Sequence, residues 1–455
     1  MTTDRRVQIL GKDSGNMNLV RRYIYFVVIL LMPFPANSQS VYSQKSGEKW
    51  VCTWATAQQL DEVAFPKINL PPNIKLPQQN TPQPKPGERG GSPNIFYMPS
   101  DLKDRTVRMV VRTSIGGSKI RVNLSSSLSR PPVQVGSAHI AIYKSNGAIV
   151  HGTDHEITFS GKSSFMLLPG VLLVSDPIDM EVSPFTDLAI SIYFPDETGT
   201  PTNHTLGLHT AYISKGDTAG HELMPDPETT FAYFWIAGID VLAAEEAFTV
   251  VALGDSITDG FATTLDANKA WPALLAKRLN DTPGTGQISV VNQGISGNQV
   301  LRDGAGISAL ARFDRDILSI AGVKWVILLE GINDINFRGW MEGPEALTSD
   351  ELIAGYKQII ERSHTYGIKV IGATLTPEEG VPTMSERGEK IRQAVNEWIR
   401  TCGLFDAVVD FDAVIRDPSR PVRIRPEFDP GDHIHPNDAG NQATADAFDL
   451  KLFHN

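Results

Sequence analysis

Val250-Val251-Ala252-Leu253-Gly254-Asp255-Ser256-Ile257-Thr258-Asp259-Gly260 is the stretch whose reading decides the fold. A β-branched, apolar run stops at Gly-Asp-Ser and then opens toward a helix. Such a layout delivers a hydroxyl to the carboxyl end of a strand, the edge where open α/β sheets place their ligands. A serine there is a weak nucleophile unless a base and an oxyanion site accompany it.

Downstream, strand-like runs alternate with amphipathic helices. The strands expected are Thr249–Leu253, Ile288–Asn292, Trp325–Glu330, Lys369–Thr374 and Ala407–Asp410. Trp271–Leu279, Glu351–Tyr366 and Glu386–Arg400 have the apolar spacing of helices, and Thr348-x-x-Glu351 and Thr383-x-x-Glu386 match capping boxes. This alternation predicts an α/β, flavodoxin-like three-layer domain with a parallel five-stranded sheet over 248–455.

Polar groups follow those strands in turn: Ser256, then Asn292-Gln293-Gly294-Ile295-Ser296-Gly297-Asn298, then Gly331-Ile332-Asn333-Asp334, and finally Asp432-His433-Ile434-His435-Pro436. All fall at one sheet edge, and together they suit acyl transfer. Ser256 would attack an ester carbonyl and His435 would carry its proton. Asp432 would hold the imidazole tautomer; this carboxylate three residues upstream selects His435 over His433, whose counterpart is Pro430. Backbone N–H groups of Ser256 and Gly294, with the Asn333 amide, would form the oxyanion hole. Asp255 and Asp259 read as turn and cap carboxylates or as site neighbours, and Asp334 as a loop brace. Arg302 and Trp340 read as pocket lining or surface packing.

These blocks resemble the SGNH or GDSL hydrolase family, in its secreted esterase branch with an N-terminal β-domain, similar to acetylxylan esterases and arylesterases. The resemblance covers the chain from about Thr249 to the end and implies Ser256, Gly294, Asn333 and His435 as the family's four marks, Asp432 completing a triad. Ile257 stands where the family name has leucine, and Cys52 where this branch has glycine. The α/β-hydrolase elbow Gly-x-Ser-x-Gly does not fit, because Thr258 occupies its last position.

Upstream the pattern is different. Thr106 to Ile213 contains short alternating runs, with Gly116-Gly117 expected as the turn joining Thr106–Arg112 to Lys119–Leu124. Further strands are expected at Val133–Tyr143, Glu156–Phe159, Val171–Val174 and Leu188–Phe194, and a polar connector at Ser214–Thr230. An all-β jelly-roll or sandwich-like domain over 106–247 is the expectation. Residues 39–105 hold a strand near Trp50–Thr56 and a Pro-rich loop over 61–99.

Arg21-Arg22, the apolar run Tyr23–Met32 and the small residues Ala36 and Ser38 read as a signal peptide over 1–38, cleaved before Gln39, so secretion or periplasmic export is expected. The run is too short for a stable membrane span. A formal net charge of −11 argues against a nucleic-acid partner. Cys52 and Cys402 could pair or stay as thiols. His139, His151, His155, His204, His209 and His221 lack metal-ligand spacing, so neither metal nor cofactor is expected. The reading is an exported serine ester hydrolase acting on small-molecule or polysaccharide esters, short acetyl-type groups on plant polysaccharides foremost. A lipase or lysophospholipase, and a non-catalytic glycan-binding protein, are the alternatives.

Overall fold

The structure, a computed structural model, describes residues 47–59, 99–129 and 131–454. The expected signal peptide and Pro-rich loop lie outside the described residues, apart from Pro99 at the loop's end. Within Ser46–Asn455, which form one compact unit, two hydrophobic cores are distinct.

The first core lies between antiparallel sheets. One has the order Glu48–Ala55, Ile236–Ala244, Ile120–Ser125, Leu172–Val174; the other centres on Ala211–Lys215, Arg105–Arg112, Asp187–Phe194 and Ser137–Ser145. Alternating residues such as Val107, Met109, Ile190 and Ile192 meet Val122, Leu124, Ile239 and Val241 across the gap. Each such side chain contributes about 1.5–3 kcal/mol on burial, and this is the sandwich that period-two alternation encodes.

Four local expectations fail here. Gly116-Gly117 is not a hairpin turn: Arg105–Arg112 and Ile120–Ser125 belong to different sheets. The two glycines carry the chain across the gap, where the Gly117 N–H donates to the Val182 carbonyl at 3.0 Å. Val133–Tyr143 splits at Gly136 into Val133–Val135 and Ser137–Ser145, and Glu156–Phe159 contracts to His155–Glu156. Ser214–Thr230 is more than a connector, because Glu228–Thr230 pairs with Ala211–Lys215.

The second core surrounds a sheet with the order Ile288–Gly294, Phe248–Gly254, Val323–Leu329, Lys369–Ala373, Ala407–Val409, with every pair parallel. This is the flavodoxin-like 2-1-3-4-5 order. Its strands are near-continuous apolar runs because helices cover both faces. Trp271–Asp281, Ser349–Thr365 and Glu386–Thr401 bury Leu275, Ile359 and Val395 among others. The Thr348–Glu351 capping box forms. The second one does not: Ser385 caps its helix by accepting the Gly388 N–H, and the Thr383 hydroxyl donates to Asn336 Oδ1 at 2.7 Å instead.

Strand Glu48–Ala55 joins the cores. Val51 packs into the sandwich, and its neighbour Cys52 into the α/β core. The Cys52 carbonyl accepts from Ser289 Oγ at 2.6 Å and Thr249 Oγ1 at 3.0 Å. Both cysteines are free thiols, and burial raises that of Cys52 well above its usual range. Among the described residues, no helix is long and apolar enough to cross a membrane.

Candidate active site

The first parallel strand ends at Gly254, and a four-residue helix, Ser256–Asp259, starts immediately. Asp255 caps it, its carboxylate accepting the Ile257 N–H at 3.0 Å. That geometry fixes Ser256 at the sheet's carboxyl edge. Far along the chain, the loop before helix Asp438–Asp446 brings His435 to the same point.

The Ser256 hydroxyl lies 2.8 Å from His435 Nε2, and His435 Nδ1 lies 2.7 Å from Asp432 Oδ2. With a carboxylate on Nδ1, that nitrogen carries the proton and Nε2 is left to accept from the hydroxyl. Asp432 is itself held by the N–H groups of Ile434 and His435 on Oδ1. Burial alone would raise the Asp432 carboxyl, but the His435 hydrogen bond and charge outweigh burial and hold it below its usual range. Phe261 packs on the imidazole with ring centroids 4.4 Å apart. His433, the other histidine of the block, pairs with Asp429 Oδ2 at 2.6 Å and takes no part in the relay.

Asn333 is buried, and its amide donates to the Asn298 carbonyl at 3.0 Å, which puts it against the loop following the second strand. Gly294 departs from expectation. Its N–H already donates to Asn292 Oδ1 at 2.9 Å, so it is not a free oxyanion donor. Glycine is required there for packing: a Cβ would come within 2.3 Å of the Asp259 backbone nitrogen. Three residues on, Gly297 occupies a turn closed by the Asn298 N–H on the Ile295 carbonyl. Its φ of +81° is open to glycine at no steric cost. Among the described residues the Gly297 N–H has no acceptor.

That turn is held from several sides. Asp334 accepts the Val300 and Leu301 N–H groups at 2.7 and 3.1 Å, so it braces this neighbouring loop. Asp259 accepts both the N–H and the hydroxyl of Ser296 at 2.9 and 2.7 Å. Arg312, wholly buried, donates to the Gly254 and Gln293 carbonyls and to Asn298 Oδ1, and so ties two strand ends to the turn. Burial, with the charges of Asp334 and Asp259, pushes Asp255 up to about 7 against the pull of the Ile257 N–H and Arg312. Burial likewise pushes Asp334 up to about 6.

Sequence spacing misses Arg312, which looks like any helical arginine, and Phe261. Gly297 is visible as the second glycine of its heptapeptide. Arg302 pairs with Glu345 at the surface, and Trp340 donates to the Asn336 carbonyl, so both pack locally. A cavity of about 520 Å³ lies between the two halves, but neither Ser256 nor His435 lines it. Among the described residues, no group of three or more His, Cys, Asp or Glu could hold a metal ion.

No curated protein matches the chain. Among solved structures it is similar to a catalytic mutant of an acetylxylan esterase from Geobacillus stearothermophilus, at 22% identity over 45% of this chain and 94% of that one, TM-score 0.35. It is similar to an alpha/beta hydrolase enzyme from the metagenome of Lake Arreo, Spain, at 23% identity over 46% and 96%, TM-score 0.35. A GDSL-like lipase from Bacteroides thetaiotaomicron matches at 19% identity over 45% and 87%, TM-score 0.33. Residues 252–443 match the model of the GDSL-like lipase/acylhydrolase family. The parallel sheet and its serine edge thus form a domain of the GDSL-like lipase/acylhydrolase family, and the chain is a carboxylic ester hydrolase.

Proposed function

We propose that the chain is an exported serine ester hydrolase that removes short acyl groups, acetyl foremost, from plant polysaccharides through a Ser256–His435–Asp432 triad. The observation that carries the reading is the unbroken relay of 2.8 and 2.7 Å between three side chains from two distant segments.

The mechanism follows from what each atom faces. Ser256 Oγ attacks the ester carbonyl while its proton passes to His435 Nε2. Asp432, kept ionised, stabilises the imidazolium that forms. Collapse of the tetrahedral adduct returns that proton to the leaving alcohol and leaves an acyl-Ser256 ester. Water, deprotonated by the same imidazole, then releases the acid. The oxyanion is met by the Ser256 N–H and the Asn333 amide, with the Gly297 N–H in the place expected for Gly294. Donors fixed before the reaction need no reorganisation as charge develops.

The acetyl preference and the polysaccharide alcohol rest on two sequence features. One is the export signal read at the amino terminus; the other is a β-sandwich of a kind used to hold glycans, which is a fold-level analogy. Acetate release from acetylated xylan, beside a nitrophenyl ester series of rising chain length, tests the reading. Acetate release with a maximum at the shortest acyl group is expected. A maximum at long acyl chains would overturn the substrate assignment and favour a lipase. Glycan binding without hydrolysis of any ester would leave a binding module.

A further inference from the structure

We propose that His204, supplied by the β-sandwich, is a doubly protonated positioning residue that fixes the oxyanion turn by holding Asp259. The inference rests on Ser256 being the nucleophile and gives the sandwich a part in the chemistry of the other half.

The geometry favours one protonation state. His204 Nδ1 lies 2.8 Å from the Ala57 carbonyl oxygen, which can only accept, so Nδ1 carries a proton. Nε2 lies 3.0 Å from Asp259 Oδ1. The other oxygen of Asp259 takes two donors from Ser296. Two hydrogen bonds donated to one oxygen favour the carboxylate over the acid, so the proton shared with Oδ1 is placed on Nε2. The side chains are only 4% and 3% exposed. Burial lowers the affinity of His204 for its proton, but Asp259's charge and hydrogen bonds more than offset this and raise it. Tyr233, a further titratable neighbour, stacks its ring at 6.4 Å and its hydroxyl donates away, to the Val110 carbonyl.

Asp259 is the last residue of the helix that begins with Ser256, and Ser296 precedes Gly297. The cation therefore sets one carboxylate that links the nucleophile's helix to the turn presenting the Gly297 N–H. Without the imidazolium, Asp259 is a buried charge lacking a counterion, which it relieves by protonation or by moving. In either case its hold on Ser296 changes. Displacements of about 1 Å at a reacting centre cost up to 100-fold in rate.

The test uses His204→Gln, Asp259→Asn and the double variant in the full chain, with Ser256→Ala as control. His204→Gln keeps the bulk and loses the charge; kcat is expected to fall about tenfold with KM within about twofold. Asp259→Asn should do the same, and the double variant should be no worse than the poorer single. A merely structural histidine would lower the melting temperature and leave kcat per folded molecule untouched, which would overturn the proposal. In the wild type, the nitrogen resonances that vanish in His204→Gln should still be those of a doubly protonated ring at pH values above the ordinary histidine value of about 6.5. A ring titrating near the ordinary value of about 6.5 overturns it; should His204→Gln fail to fold, His204→Asn supplies the same assignment. If Ser256→Ala keeps activity, the triad reading fails; if only the His204 results fail, the triad stands.

Discussion

Two histidine–carboxylate pairs flank the four-residue helix that begins at Ser256, and they differ in what faces the second ring nitrogen. On one side, His435 has Asp432 on Nδ1 and a hydroxyl on Nε2. On the buried side, His204 has Asp259 on Nε2 and a carbonyl on Nδ1. A hydroxyl can donate, so His435 is free to be a neutral base; His204 meets a carbonyl on Nδ1 and, on Nε2, a carboxylate whose other oxygen takes two donors from Ser296, so it is held as a cation. The same two functional groups therefore become a proton carrier in one region and a fixed charge in the other.

The contrast can be broken by substitution. His435→Ala should lower kcat by on the order of 10⁴-fold or more, because a member of the triad is lost, and an equal loss in His204→Gln would erase the distinction between carrier and fixed charge. Asn333→Ala removes one oxyanion donor and should cost about 10²–10³-fold in kcat with a modest change in KM; a near-normal kcat would remove Asn333 from the site.

The smallest expected effect concerns stability and sharpens the point about partners. Asp432 has a histidine beside it and is held low, whereas burial, with the charge of Glu389 and against that of Arg392, pushes Glu378 up to about 8. A carboxyl whose folded value lies above its unfolded value contributes stability below the unfolded value, and that contribution is lost as pH rises toward 8. Glu378→Gln should therefore be more stable than the wild type at pH 9, by roughly 2–4 kcal/mol, with the gain shrinking toward pH 5. Urea midpoints at the two pH values measure this, and a gain independent of pH would show that Glu378 is not protonated in the fold.

How much was legible follows the range of the interactions. The five parallel strands declare themselves as apolar runs ending in polar residues, and each lies within two residues of its expected bounds. Asp432 and His435 share one short loop, so their pairing is a matter of spacing. The sandwich is harder to read, because Gly116-Gly117 looks like a hairpin turn when the strands on either side pair far away: Arg105–Arg112 with Asp187–Phe194, and Ile120–Ser125 with Ile236–Ala244. Gly294 misled for a related reason: a glycine required by backbone approach looks the same in sequence as one required to present an N–H. His204 and Asp259 stand 55 residues apart in differently built halves, and no spacing rule joins them.

The central claim is that Ser256 is a nucleophile activated by His435. Labelling the full chain with a fluorophosphonate and mapping the adduct by mass spectrometry tests it most directly. One adduct on Ser256, absent in Ser256→Ala and nearly absent in His435→Ala, is predicted; labelling that persists in Ser256→Ala, or lands on another residue, would contradict it.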